Sequence, residues 1–161
     1  MTDAGRAGPR TEPMEGITAE VLAGWEVRIR RARASNAEEV TKPVLHAATV
    51  PLLPERADFG DGVVETLGPG DVFVSLVEYG PDAVNSALFA PVDVFPPVLE
   101  SNEFRPKQLQ RVIPGQAGQQ VFFSYLDRAF CLYAVIGSAA LVDDLTEKAN
   151  RLIGGIQIAS P

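Results

Sequence analysis

The sequence is poor in the residue types on which most catalysis depends. Its 161 residues include one histidine (His46), one cysteine (Cys131) and one tryptophan (Trp25). With a single imidazole, any Ser-His-Asp or Cys-His mechanism would have to pass through His46, and no G-x-S-x-G elbow supplies its nucleophile. One Cys and one His cannot furnish the usual zinc ligands, so no metal site is expected. A lone thiol forms no internal disulfide, in agreement with a reducing compartment. No run reaches the ~18 apolar residues that cross a bilayer. The opening MTDAGRAGPRTEPMEG lacks the apolar core of a secretory signal, so no membrane span and a cytoplasmic address are the expectation.

Basic charge is also scarce. The net charge is −7, with 14 Lys and Arg against 21 Asp and Glu, which opposes a sequence-independent grip on nucleic acid because phosphate neutralisation drives such binding. Six of the basic residues and five of the acidic ones fall within residues 1–33, so the excess negative charge belongs to the body that follows. The hydrophobic fraction of 46% and charged fraction of 22% suit one soluble globular domain, and thirteen prolines with fourteen glycines predict many turns.

Residues 1–16 carry Gly, Pro, Thr and charge without apolar periodicity, and are read as a disordered tail preceding a single domain over 17–161. Ile17, Val21 and Leu22 suggest a helical turn or two. Trp25, Val27 and Ile29 then alternate with Glu26, Arg28 and Arg30, the period-two pattern of a half-exposed or edge strand. Further strands are predicted over 44–52, over 63–67 between GDG and GPGD, and over 72–80, where VFVSLVEYG is apolar on both faces as a central strand would be. Residues 81–118 are broken by Pro91, Pro96, Pro97, Pro106 and Pro114, with short helical pieces over 83–89 and 106–111, and long irregular connections of this kind tend to carry function or to cover a sheet.

The richest segment is QVFFSYLDRAFCLYAVIG, residues 120–137, which holds five of the twelve aromatic residues and reads as two strands around a tight turn at Asp127 and Arg128. Neither face is polar, so both require cover. A helix over 139–153 follows from Leu141, Leu145, Ala149, Leu152 and Ile153, with Ser138 as N-cap, acids in the first turn, and Gly154 and Gly155 closing it in a left-handed turn. Residues 156–158 suggest a short closing strand. The fold class is α+β: an antiparallel sheet of five or six strands with the C-terminal helix on one face and the irregular segment on the other.

The order of strand, aromatic hairpin, helix and short strand over residues 70–158 resembles the PsbP/Mog1-like fold. IPGQAG at 113–118 and RAFCLYAVIGS at 128–138 resemble segments of an uncharacterised family of small bacterial proteins. The second resemblance implies no activity, and the first implies a scaffold that generally serves protein binding.

Each candidate chemistry has a plainer reading beside it. His46 shares a strand face with Val44, Ala48 and Val50 and reads as a structural histidine. Cys131 sits among Phe130, Leu132 and Tyr133, without the electropositive opening that a reactive thiol needs. Asp58, Asp61 and Glu65 lack the ligand spacing of an EF-hand and read as a solvated turn. GPGD at 68–71 and GQAGQQ at 115–120 match no phosphate-binding loop, and no cofactor is implied. Arg28, Arg30, Arg31 and Arg33 form the one basic cluster, which serves either to guard an edge or to meet an acidic partner.

The sequence therefore favours a non-catalytic protein-interaction module of unknown pathway. Its candidate partner-binding residues are Arg28, Arg30, Phe89, Phe95 and Phe104, and homodimerisation through a terminal strand is compatible with that reading. The alternative is a small-molecule binder or enzyme with an apolar pocket between the sheet and residues 81–118, with Glu78, Tyr79, Tyr125 or Tyr133 as polar handles.

Overall fold

The aromatic hairpin lies inside a five-stranded sheet. The computed structural model describes residues 8–32, 36, 41–53, 60 and 62–160. β2 (Glu26–Arg31), β3 (Pro43–Ala48), β4 (Val72–Tyr79), β5 (Ala117–Tyr125) and β6 (Arg128–Ile136) form one antiparallel sheet in the order β2-β3-β4-β6-β5. β4 is central, as its two-sided apolar pattern predicts, and every residue of β6 is buried. The hairpin turn is Leu126–Asp127, one residue earlier than expected, because Arg128 already pairs with Tyr125. Both turn residues have positive φ (53° and 56°), which matches the turn's twist to that of the strands.

Alternation divides the core in two. On one face Leu45, Ala47, Val74, Leu76, Leu132 and Ala134 meet Leu145, Ala149, Leu152 and Ile153 of α1 (Val142–Ile153). On the other, Phe73, Cys131, Tyr133 and Val135 lie beneath Leu52, Val63, Val64 and Leu109. Each large side chain so buried contributes about 1.5–3 kcal/mol.

Several local expectations are corrected. Ile17 begins β1 (Ile17–Ala19) and not a helical turn, because Ile17 and Ala19 are buried while Thr18 between them is partly exposed. β1 pairs with β7 (Ile156–Ile158) as a separate ribbon on the helix side of the sheet. The tail expected through residue 16 is in part paired: Thr11 N–H donates to Ala19 O and Val21 N–H to Pro9 O, while Met14 and Ile17 exchange bonds around a turn at Glu15 and Gly16. Gly16 is required there, since its φ is +81° and a Cβ would lie 2.4 Å from Ala159 O. Residues 64–66 form a 3-10 turn where a strand was expected, with Val63 and Val64 N–H both donating to Gly60 O. The helix opens with a 3-10 turn at residues 139–141 and no side-chain cap from Ser138, and Gly154 keeps right-handed helical geometry (φ −60°, ψ −20°).

The middle segment does not lie on one face. It wraps the edge of β5: Val92, Phe95, Leu99 and Phe104 pack on the helix side, and Leu109 and Ile113 on the other. On the way it hydrogen-bonds the outer edge of β5. Val92 N–H donates to Ser124 O and Ser124 N–H to Ala90 O, Arg105 and Gly118 exchange both bonds, and Gln120 N–H donates to the Gln108 side chain. Regular helix within it is limited to single 3-10 turns at Pro81–Ala83, Ser101–Glu103 and Pro106–Gln108.

Candidate functional site

The two edges of the sheet are finished differently. Ala32 N–H donates to Lys42 O, which sets the alternation of the β2–β3 ladder: residues 26, 28 and 30 bond inward to β3, and the N–H and C=O groups of Val27, Ile29 and Arg31 point out. No described residue hydrogen-bonds those outward groups. β5 is capped by the middle segment, whereas β2 presents a free ladder among the described residues.

The side chains of β2 follow the predicted alternation. Val27 and Ile29 are half-buried against the helix-side core, and Arg28 and Arg30 stand on the opposite face. Arg28 is exposed and makes no hydrogen bond or ion pair with a described residue. Arg31, also exposed, pairs with the Glu15 carboxylate at 2.7 Å and donates to Thr41 O. Arg33, Asp58 and Asp61 lie outside the described residues.

The phenylalanines divide differently from expectation. Phe89 is only 6% exposed, packed against Tyr79 and edge-on to Phe122 with centroids 4.9 and 5.4 Å apart, so it offers no partner surface. Phe95 and Phe104 are half-buried against the core. The apolar side chains that the segment exposes are Leu88, Val94, Val98 and Val112. Alternation along a chain hugging a strand edge turns the aromatics in and these aliphatics out.

A polar row crosses the face opposite the helix: Arg28, His46, Ser75, Tyr133 and Gln120 stand opposite one another in successive strands. Ser75 beside His46 is a nucleophile–base adjacency that one-dimensional reading misses, since the residues are brought together only by register. Both are buried (0% and 1% exposed), and His46 packs on Phe73 at 5.3 Å, so neither meets a solvent-borne substrate in this structure. Tyr133 Oη accepts Gln110 N–H at 2.9 Å, and burial raises its pKa above the ordinary tyrosine value, against the lowering effect of that bond. Burial alone pushes the Cys131 thiol up to about 12, so it stays protonated and a poor nucleophile.

Glu78 is the polar handle with a definite partner. Arg128 Nη2 and Nε reach its two oxygens at 2.6 and 3.0 Å, and Arg128 Nη1 donates to the carbonyls of Glu15 and Ala159. The pair is a clamp that ties both terminal segments to the sheet, with each carboxylate oxygen already engaged by a guanidinium N–H.

One open cleft of about 460 Å³ separates β7 from the Phe95–Tyr125 stack, whose centroids are 5.5 Å apart; Pro13, Thr18, Ile156 and Ile158 complete its walls. Among the described residues no three His, Cys, Asp or Glu side chains converge as metal ligands, and no helix is long and apolar enough to cross a membrane. No protein-family model, curated protein or solved structure matches the chain.

Proposed function

We propose that the protein is a non-catalytic protein-interaction module whose contact surface is the outer edge of β2. The observation that carries this reading is the asymmetry of the sheet: residues 90–92, 105 and 108 close the β5 edge, while among the described residues nothing bonds the outward groups of Val27, Ile29 and Arg31 or pairs with the charge of Arg28 beside them. A free ladder with exposed arginines recruits an incoming strand through main-chain bonds and selects it by charge. The test is affinity capture from a lysate of the protein's own source with wild type and Arg28→Glu. A stoichiometric partner retained by wild type and lost in the variant is expected; no partner on either would contradict the reading.

A second reading, a small-molecule site, is favoured by the cleft, because it joins Phe95 of the middle segment to Tyr125 of the sheet. A thermal-shift screen of metabolites against wild type and Tyr125→Ala tests it. A ligand that raises the wild-type midpoint and not that of the variant would support the cleft, and no shift with any compound would remove it.

A further inference from the structure

Resting on the interaction reading above, we infer that the segment taken up by β2 is an extended acidic stretch of another polypeptide, with Asp or Glu alternating with Val, Ile or Thr, added as a sixth strand. The outward groups of Val27, Ile29 and Arg31 fix the ladder the incoming chain must match. Side chains of an added strand alternate between faces in step with those of β2. On one face they stand beside Arg28, which is exposed and meets no described residue, and there opposite charge is stabilising and like charge destabilising. On the other they extend the half-buried ledge of Val27 and Ile29, which suits β-branched residues. The result is an alternation of acid and β-branched residue whose acids stand by Arg28 and away from Glu26, which shares that face.

A second copy of this chain fits poorly. Two-fold antiparallel pairing of β2 with itself must bring the outward residues 27, 29 and 31 opposite one another. Centred on Ile29, that pairing sets Arg28 against Arg30; centred on residue 28, 30 or 31, it sets an arginine against its own mate; centred on Val27, it sets Arg28 against Glu26 but runs past the start of the strand to Trp25, whose N–H is already bonded to Leu22 O. The arginines disfavour every register that uses the whole strand, and Arg28 is the one that selects an acidic partner.

The test pans a phage-displayed library of random peptides on the full chain, then measures binding of the enriched peptides as free synthetic chains. Alternating acidic peptides are expected. Their binding should weaken at least tenfold for Arg28→Glu and be abolished by Val27→Pro, which removes an outward N–H while sparing the inward ladder. In wild type the bound peptide should slow hydrogen exchange at the amides of Val27, Ile29 and Arg31. Hydrogen exchange in wild type keeps the test decisive if Val27→Pro does not fold. Neutral or basic enriched peptides, binding that protects other amides, or binding that survives N-methylation of the peptide backbone would overturn the inference. A cellular partner lost with Arg28→Glu but binding as a folded domain, without protecting these amides, would overturn it while leaving the interaction module standing. Absence of any partner would remove the module itself.

Discussion

Glu78 and Arg128 meet as a two-pronged ion pair on adjacent strands of the sheet, with side chains only 4% and 6% exposed, and Nη1 of the guanidinium donates to both Glu15 O and Ala159 O. A buried pair of this kind stabilises little against apolar replacement, yet removal of one partner leaves an uncompensated charge. Glu78→Ala is therefore expected to lower unfolding free energy by about 3–5 kcal/mol in urea. Glu78→Met with Arg128→Met should lose clearly less than the sum of the single variants. Strict additivity would mean the two side chains do not act as a pair.

Alkaline pH should unfold the protein from within. The unfolded chain ionises Cys131 near its ordinary value of 9.0, whereas burial holds the folded thiol protonated to about 12. The folded-state value is the raised one, so the stabilisation is complete below about pH 9 and declines as pH rises toward about 12, by roughly 1.4 kcal/mol per pH unit. Tyr133, raised by the same burial, adds in the same direction at higher pH. Urea midpoints measured across that window should fall, and fall less for Cys131→Ala. A flat profile, or prompt alkylation of native Cys131 at neutral pH, contradicts the burial argument.

The β5–β6 turn holds a leucine in left-handed backbone, Leu126 at φ 53°, followed by Asp127 at 56°. Only glycine and, to a lesser degree, Asn and Asp adopt that region without penalty, which for other residues is about 1–2 kcal/mol. Leu126→Asn with Asp127→Gly should raise stability by roughly 1 kcal/mol on thermal or urea unfolding. A loss would show that the exposed leucine makes a compensating contact.

Within the middle segment, neighbouring apolar residues should respond oppositely. Phe89→Ala empties a buried aromatic site and is expected to lose about 3–5 kcal/mol. Val94, 73% exposed, should tolerate Ser within about 0.5 kcal/mol. Equal effects would mean the segment is not seated on β5 as described.

Periodicity made the strands of the sheet and the helix legible in sequence. Trp25–Arg30 alternation gives β2 and its half-exposed character, and the two-sided apolar run at 72–80 gives the central β4. What the sequence hides is decided by pairing at long range. The partner of β7 is β1, more than 130 residues away, so Ile17 looks helical when read locally. The segment 81–118 wraps the β5 edge and reaches both faces, not one, held by bonds such as Arg105–Gly118 whose donors are backbone and leave no side-chain signature. The same applies to the site: the arginines of β2 are visible as residues, but the outward direction of Val27, Ile29 and Arg31 depends on register. Phe89 misleads because aromatic composition alone cannot tell an edge cover from a docking surface.

The central claim rests on an open β2 edge, and residue-resolved amide hydrogen exchange of the free protein tests it most directly. Val27, Ile29 and Arg31 should exchange rapidly while the inward amides of Arg28 and Arg30, and the capped amides of Gly118 and Ser124, are protected. Protection at Val27 and Ile29 equal to that at Gly118 and Ser124 would show the edge already covered, and would contradict the account.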